Sequence, residues 1–245
     1  MHTIEFRLFP KLPLVLILLV AGIGNGMAQT SNQTPRQEPA KTYILPDGQK
    51  IGADKLDSIR QAWGADRVMS KHNDEDDAKG IVHLEQMTDQ MLQDMNANVN
   101  SQTRILDEMT GKEAADFTLT DIDGNLVHLA GLKGKVIVIN FWFTACPPCI
   151  AEMSALNNLV KKYRKDGVVF LGLTFNDKKL ATSFLQEHTY DYVILPNARK
   201  AINKYGIHNY PTHLVIGKDG RLKDHFTTGE NIELELSAAI DRQKS

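Results

Sequence analysis

The sequence predicts an α/β layer fold for the C-terminal half of the chain and a smaller α+β segment before it. From about residue 112 onward, short apolar runs rich in β-branched residues alternate with amphipathic helical patterns. Turns that contain glycine separate several of these runs. The composition, with 42% hydrophobic and 24% charged residues among 245, is typical of a folded globular protein.

Charge and cysteine content exclude several functional classes. Lys and Arg number 28 against 30 Asp and Glu, which gives a net charge of −2. Because the chain has no excess basic charge to neutralise a phosphate backbone, we expect no nucleic-acid partner. The sequence holds two cysteines, within one four-residue motif. This count excludes a scaffold stapled by many disulfides and a four-cysteine zinc site.

The N-terminus predicts an export signal over residues 1–28. Arg7 and Lys11 supply a positive region, an apolar run follows at residues 12–23, and small residues precede an expected cleavage between Ala28 and Gln29. The apolar run is shorter than the ~20 residues that span a bilayer. We therefore expect a periplasmic or otherwise extracytoplasmic protein. Retention of this segment as an N-terminal membrane anchor is the alternative.

Two segments follow the predicted signal. Residues 29–41, rich in Ser, Thr, Gln and Pro, indicate a flexible tether. Residues 42–111 indicate an N-terminal α+β segment whose role the sequence does not define. Within it, a tight turn at residues 46–48 joins short strands, Asp54 can cap a short helix, and a long helix is predicted over residues 85–109.

A possible metal site lies at the start of that long helical pattern. Met87, Met91 and Met95 recur every four residues, and His83 precedes them. Thioether and imidazole groups suit Cu(I), so a metal-handling module is an alternative, non-enzymatic function. We interpret the pattern as a packing stripe in which Met fills gaps.

The acidic run at residues 72–77 lacks the glycine and closing Glu of an EF-hand and is interpreted as a solvated loop.

Residues 112–245 carry the alternating strands and helices. The predicted strands are residues 117–120, 126–129, 135–141, 168–174, 192–195 and 213–216. The predicted helices are residues 147–163, 177–187, 198–205 and 232–242. Asp121 and Gly124 mark a hairpin turn between the first two strands, and we prefer this reading to a metal site.

The two cysteines lie where the buried strand at residues 135–141 runs into a helix. A thiol at a helix N-terminus has its thiolate stabilised by free N–H groups and the helix dipole. Cys146 precedes a proline, which favours the extended geometry of an N-cap, and Pro147 suits the first helical position. A zinc site would lack two ligands, and a structural disulfide that closes so short a loop would contribute little stability. The motif therefore predicts dithiol–disulfide exchange between Cys146 and Cys149.

Residues 112–242 resemble the thioredoxin superfamily, and within it the extracytoplasmic TlpA/ResA-like branch of AhpC/TSA type. The resemblance rests on residues 116–119, on residues 140–142 ahead of the CxxC motif, on Glu152, on residues 205–212 and on residues 214–220. It implies a thioredoxin-like fold, with a mixed central sheet flanked by helices. It also implies a thiol-disulfide oxidoreductase that needs no bound cofactor.

The resemblance also implies roles for individual residues. Cys146 would be the exposed attacking nucleophile, Cys149 the resolving thiol, and Pro211 would follow a cis peptide bond beside them. The expected substrate-binding residues are Trp142, Pro147, Pro148, Tyr210 and Thr212. Phe143 and Ala145 depart from the Gly and Trp that many relatives carry, so we do not carry over the relatives' substrate choice.

Three titratable side chains near these residues receive separate interpretations. Glu152 lies three residues after Cys149 on the same side of the helix. We expect it to accept the proton of the resolving thiol, with burial favouring the neutral carboxyl. A surface glutamate is the alternative. His208 and His213 flank Pro211; they could tune the thiol pKa values, but we interpret them as ordinary loop and strand residues.

Pro147 and Pro148 bear on the direction of the reaction. Neither has an N–H group, so the first helical turn offers the Cys146 thiolate fewer hydrogen bonds. A less stable thiolate favours a potential near thioredoxin's ~−270 mV over the ~−120 mV of a strong oxidant. The family likeness implies reduction by a membrane thiol relay and protein disulfide substrates such as apocytochrome c or copper-centre proteins. A disulfide oxidase or isomerase is the alternative.

Overall fold

The computed structural model describes residues 41–71, 76, 79–227, 229 and 231–244. All of them fall within one compact unit. The predicted signal at residues 1–28 and the predicted tether, except for its last residue, lie outside the described part of the chain. The acidic run at residues 72–77 also lies outside it, except for Asp76.

The N-terminal α+β segment forms a four-stranded sheet followed by a long helix. Its elements are β1 (Thr42–Ile44), β2 (Lys50–Gly52), α1 (Leu56–Trp63), β3 (Val68–Lys71), β4 (Ile81–Gln86) and α2 (Asp89–Met109). The strand order is β2-β1-β4-β3. The β1 and β4 strands pair in parallel, whereas the β1–β2 and β3–β4 pairs are antiparallel.

Two predictions for this segment are wrong in detail. Asp54 does not cap α1, because it lies inside a 3-10 turn and Lys55 occupies the N-cap position. The long helix begins at Asp89 rather than at residue 85. Thr88 caps it by accepting a hydrogen bond from the Met91 N–H (3.2 Å), and β4 ends two residues earlier, at Gln86. The predicted helix began too early because residues 85 and 86 are the last two residues of β4.

The second part of the chain contains a hairpin and a five-stranded mixed sheet flanked by helices. The strands are β5 (Thr118–Thr120), β6 (Leu126–His128), β7 (Ile137–Trp142), β8 (Val169–Thr174), β9 (Val193–Leu195), β10 (Thr212–Ile216) and β11 (Leu222–Thr227). The helices are α3 (Pro147–Tyr163), α4 (Lys178–Leu185), α5 (Arg199–Lys204) and α6 (Ile232–Lys244). The predicted α/β fold is thereby confirmed.

The five-stranded sheet has the order β11-β10-β7-β8-β9, with parallel pairing among β7, β8 and β9. The β10 strand is antiparallel to both of its neighbours. The β7 strand is central and all six of its residues are buried. Alternate residues of β7 therefore face two hydrophobic clusters, one with α3 and α6 and the other with α5 and the β5–β6 hairpin.

The sequence did not predict β11. Its residues Leu222–Thr227 include Lys, Asp and His, and Leu222 is the one fully buried member. An edge strand of this kind lacks the apolar run that marks β7.

Among the described residues, none of the helices has both the length and the apolar character needed to cross a bilayer.

Candidate active site

The CxxC motif lies at the junction of the buried β7 strand and helix α3. Cys146 has the extended N-cap conformation, and Pro147 and Pro148 begin the helix. The loop before it is fixed by Asn176, whose Oδ1 accepts hydrogen bonds from the Thr144 N–H (3.0 Å) and the Thr174 hydroxyl (2.9 Å). The predicted strand-to-helix position of the cysteines is confirmed.

Cys146 and Cys149 form a disulfide, with a Cα–Cα distance of 5.3 Å. The expected exposure of the attacking sulfur is wrong for this oxidised form, because Cys146 is 2% exposed and Cys149 is 0% exposed. Partly buried Phe143 and Tyr210 pack against the cluster that contains both cysteines. Three neighbours of the cysteines in the chain are exposed: Ala145, Pro147 and Pro148.

The loop of residues 208–212, which we call the cis-proline loop, contains a cis Tyr210–Pro211 peptide bond, as the resemblance implied. The Tyr210 ring meets those of Phe143 and Phe175 edge-on, with centroid distances of 5.4 and 5.8 Å. The Arg199 guanidinium lies over Phe175, 4.2 Å from its centroid. An aromatic patch with a cation at its edge therefore lies beside the redox motif.

Two expected substrate-binding residues are not on the surface. Trp142 is 0% exposed because it packs against Phe184 and Tyr190, with centroid distances of 5.3 and 5.5 Å. Thr212 is also 0% exposed. Its hydroxyl donates a hydrogen bond to the Asn209 carbonyl (2.8 Å). Trp142 and Thr212 therefore contribute packing and hydrogen bonding inside the protein. These two assignments are wrong as direct substrate contacts in this form.

Glu152, three residues after Cys149 on α3, and His213 of β10 form a buried pair. The His213 Nε2 and Glu152 Oε2 atoms lie 2.9 Å apart, and the two residues are 0% and 7% exposed. The alternative of a surface glutamate is therefore wrong. Within the described part of the chain, Glu152 Oε1 and His213 Nδ1 have no hydrogen-bond partner. Our interpretation of His213 as an ordinary strand residue overlooked this contact.

Two buried tyrosines add to the polar groups around Glu152. Tyr190 and Tyr192 stack with their centroids 4.7 Å apart. Burial raises the pKa of Tyr190 well above its usual value, and the neighbouring Tyr192 adds to this rise. Burial likewise raises the pKa of Tyr192, with a further contribution from the Glu152 carboxyl. Both hydroxyls therefore stay protonated at neutral pH.

Sequence reasoning missed Gln102, which lies in α2 far from the motif in sequence. Its side-chain oxygen accepts hydrogen bonds from the backbone N–H groups of His208 and Asn209, both at 2.8 Å. It is 1% exposed. One polar residue on the buried side of an amphipathic helix was the available signal.

The residues of the alternative metal site occupy different environments. Met87 is 9% exposed and precedes α2, whereas Met95 is 42% exposed on it. His83 Nε2 lies 3.1 Å from Asp76 Oδ2. Because Met87 is outside the helix, the four-residue helical spacing does not extend from it to Met91. The described residues include no group of three or more His, Cys, Asp or Glu able to hold a metal ion.

A thioredoxin-like sheet, a CxxC disulfide at a helix N-terminus and a cis-proline loop beside it define the class of thiol-disulfide oxidoreductases. Residues 110–225 match the AhpC/TSA family. The chain is 34% identical over 134 residues to the thiol-disulfide oxidoreductase ResA of Bacillus anthracis, covering 54% of this chain and 77% of that protein. A ResA from Geobacillus kaustophilus is also 34% identical over 134 residues, covering 52% and 76%. The chain belongs to the ResA-like thiol-disulfide oxidoreductases of the AhpC/TSA family.

Solved structures show the same fold. The structure of a candidate thiol:disulfide interchange protein DsbE from Chlorobium tepidum superposes with a TM-score of 0.52 and 22% identity, covering 56% of this chain and 98% of that chain. A candidate protein disulfide isomerase from Bacteroides thetaiotaomicron gives a TM-score of 0.51 and 20% identity, covering 55% and 89%. The predicted thioredoxin-like fold is therefore confirmed.

Proposed function

We propose that this protein is an exported reductase of protein disulfides that works through the Cys146–Cys149 dithiol. The observation that carries the proposal is the disulfide at the start of α3, beside the cis-proline loop. The membership of the ResA-like family supports the thiol-disulfide chemistry. Reduction, export and the identity of the partners are our proposals.

The reaction transfers two electrons to the substrate. The Cys146 thiolate attacks one sulfur of the substrate disulfide, forms a mixed disulfide and releases the other substrate sulfur as a thiolate, which takes up a proton. Cys149 then loses its proton and attacks the Cys146 sulfur. This step breaks the mixed disulfide, releases the second substrate thiol and forms the disulfide seen in the structure.

Glu152 is proposed to accept the proton that Cys149 loses. Both residues lie on α3, three positions apart, and both are buried. A buried carboxyl near a buried thiol gives the proton a nearby acceptor where water has little access. The 2.9 Å contact with His213 holds the Glu152 carboxyl in place.

The hydrogen bonds available to the Cys146 sulfur support the reducing direction. The Cys149 N–H donates to Cys146 Sγ at 3.3 Å. Pro147 and Pro148, which fill the first two helical positions, have no N–H to contribute. Fewer donors make the thiolate and the reduced form less stable, and a less stable reduced form is the stronger reductant.

The partners and location are proposed from the N-terminal sequence and the family likeness. The signal pattern at residues 1–28 supports a periplasmic or other extracytoplasmic location. A reductase in an oxidising compartment needs an electron donor, and a membrane thiol relay meets this need. Protein disulfides, such as those of apocytochrome c or copper-centre proteins, are the proposed substrates. Exposed Pro147 and Pro148, with half-buried Tyr210, are the residues we propose to contact them.

The test is a comparison of reduction and oxidation by the purified protein without residues 1–28. Catalysed reduction of insulin disulfides, with dithiothreitol as electron donor, measures the proposed direction. Oxidation of reduced ribonuclease by the disulfide form measures the opposite direction. Cys146→Ser is the control, because it removes the attacking sulfur.

We expect insulin reduction well above the Cys146→Ser rate, with little ribonuclease oxidation. Efficient ribonuclease oxidation without insulin reduction would establish an oxidase and contradict the proposed direction. Reshuffling of scrambled ribonuclease as the dominant activity would establish an isomerase.

A further inference from the structure

The side chain of Gln102 makes three hydrogen bonds to the cis-proline loop. Its Oε1 accepts from the N–H groups of His208 and Asn209, each at 2.8 Å. Its Nε2 donates to the Thr212 hydroxyl at 2.8 Å, and that hydroxyl donates in turn to the Asn209 carbonyl. One side chain of α2 therefore holds both ends of the loop that contains the cis peptide bond.

The amide group of Gln102 suits this task chemically. An amide oxygen has two lone pairs and an amide nitrogen has hydrogens to donate, so one group can serve two N–H donors and a hydroxyl. The residue is 1% exposed, so water does not compete for these bonds. Its loss would leave the partly buried N–H groups of His208 and Asn209 without this acceptor, which is unfavourable.

Other contacts fix α2 against the same region. The Asn98 carbonyl accepts a hydrogen bond from His208 Nε2 at 2.9 Å. Leu106 is 1% exposed within the cluster that covers one face of the sheet. Ile105 lies so close to Gly206 that a Cβ there would come within 3.0 Å of the Ile105 side chain. The helix therefore presents Gln102 to the loop from a fixed position.

This contact comes from outside the family-matched part of the chain. The match to the AhpC/TSA family covers residues 110–225, whereas α2 spans Asp89–Met109. The cis-proline loop lies within the matched region, whereas Gln102 lies before that region in the sequence. The N-terminal segment thus reaches the active-site loop through a residue that the matched region does not supply.

We propose that Gln102 is a positioning residue for the cis-proline loop and that, through it, the N-terminal α+β segment sets the loop for capture of protein substrates. This inference rests on the proposed function. The loop carries Tyr210 of the aromatic patch and ends in β10, so its backbone geometry determines how Tyr210 and the adjoining peptide meet a substrate chain. The role of the N-terminal segment is then to complete the site.

The test uses Gln102→Leu, with Gln93→Leu as the matched control on an exposed position of the same helix. Three quantities are measured for each: kinetics with insulin, kinetics with a small aromatic disulfide that does not need an extended docking surface, and hydrogen exchange at the His208 and Asn209 amides. The thermal midpoint and the reduction potential are measured in parallel. If Gln102→Leu does not yield folded protein, Gln102→Met removes the same hydrogen bonds with an unbranched side chain of similar length.

We expect Gln102→Leu to lower kcat/KM for insulin about tenfold, mainly through KM. The small disulfide should react within about twofold of the wild-type rate, and the two amides should exchange faster. The Gln93→Leu variant should match the wild type. The proposal would be overturned if kcat/KM fell equally for both substrates and in proportion to the loss of folded protein. Unchanged insulin kinetics and unchanged amide exchange would also overturn it.

The proposed function and this inference fail differently. If the wild type does not reduce insulin but oxidises reduced ribonuclease, the reductase proposal fails. The same variants are then compared in the oxidation assay. A loss of rate that is confined to the protein substrate still supports the positioning role of Gln102. Unchanged amide exchange at His208 and Asn209 overturns the positioning role whichever direction the enzyme takes.

Discussion

At the scale of single residues, the proposed reaction uses two sulfurs and a buried acid. Cys146 and Cys149 share a disulfide, and Glu152 lies on the same helix with His213 hydrogen-bonded to it. The two cysteines have different roles in the proposed reaction, although both are buried in the oxidised form. Substitutions at these positions therefore separate attack from resolution.

Cys149→Ser should trap the substrate. Cys146 can still attack a substrate disulfide, but serine cannot resolve the mixed disulfide that results. Non-reducing electrophoresis after incubation with oxidised insulin should show a covalent complex that dithiothreitol releases. Cys146→Ser, the matched control, should form none. A complex that forms through Cys149 alone would reverse the assigned roles.

Glu152→Gln should slow resolution without slowing the first attack. Because the amide cannot accept the proton of Cys149, we expect the second step to fall by about 10²-fold. Stopped-flow measurement of the Cys146–Cys149 disulfide forming from a mixed disulfide follows this step. Glu187→Gln, an exposed change elsewhere in the chain, is the control. An unchanged rate of resolution in Glu152→Gln would show that Glu152 does not accept the proton of Cys149.

His213→Val tests whether His213 acts through Glu152. Removal of the imidazole leaves the Glu152 Oε2 atom without its 2.9 Å partner, so the same step should slow. The double variant with Glu152→Gln should be no slower than Glu152→Gln alone, since both changes affect one proton acceptor. Additive losses in the rate of resolution would instead show that His213 contributes independently.

At the scale of secondary structure elements, the β5–β6 hairpin shows how a turn residue can contribute to stability. The Asp121 carboxylate accepts hydrogen bonds from the N–H groups of Asp123 (2.9 Å) and Asn125 (2.8 Å) and from the Asn125 amide (3.0 Å). Burial pulls the pKa of Asp121 upward, but these hydrogen bonds outweigh it and hold the pKa below its usual value. The predicted hairpin turn is confirmed.

This turn gives a pH-dependent prediction. Because the pKa of Asp121 is lower in the folded state, its contribution to the free energy of unfolding is complete above about pH 4. The contribution is lost as pH falls through the folded-state pKa. Asp121→Asn should therefore be less stable at neutral pH and should lose less stability on acidification. Urea unfolding at several pH values measures this, with exposed Asp123→Asn as control. Parallel pH profiles for Asp121→Asn and the wild type would contradict the prediction.

Elements with a strong local pattern could be predicted from sequence, and those without one could not. The α3 helix has the predicted bounds, Pro147–Tyr163, because two prolines mark its start and a continuous apolar face follows. The β3 and β11 strands were missed because polar residues interrupt them. Gln102 and His213 were not assigned to the site because their partners, 106 to 110 and 61 residues away in sequence, meet them through tertiary packing.

At the scale of the whole molecule, the N-terminal segment and the thioredoxin-like part share hydrophobic core. Leu106 of α2 lies in the same cluster as Phe117 of the following segment and Ile202 of α5. The Asp107 carboxylate also lies 2.9 Å from His225 Nε2 on β11. The two parts therefore stabilise each other, and a fragment without α2 would expose apolar surface.

Leu106→Ala should destabilise the whole described unit. A buried Leu replaced by Ala loses about 2–5 kcal/mol through lost burial and a residual cavity. Met95→Ala, at a position that is 42% exposed on the same helix, should change stability by no more than about 0.5 kcal/mol. Chemical unfolding followed by Trp fluorescence and by circular dichroism measures both variants. A small effect of Leu106→Ala would show that the thioredoxin-like part does not depend on α2.

The most direct test of the proposed function is the reduction potential of the Cys146–Cys149 pair, titrated in defined thiol buffers. With prolines at the first two helical positions, we predict a potential below about −230 mV, toward the ~−270 mV of thioredoxin. This result would support a reductase supplied with electrons by a thiol relay. A potential above about −180 mV would contradict the reducing direction and place the protein with disulfide oxidases or isomerases.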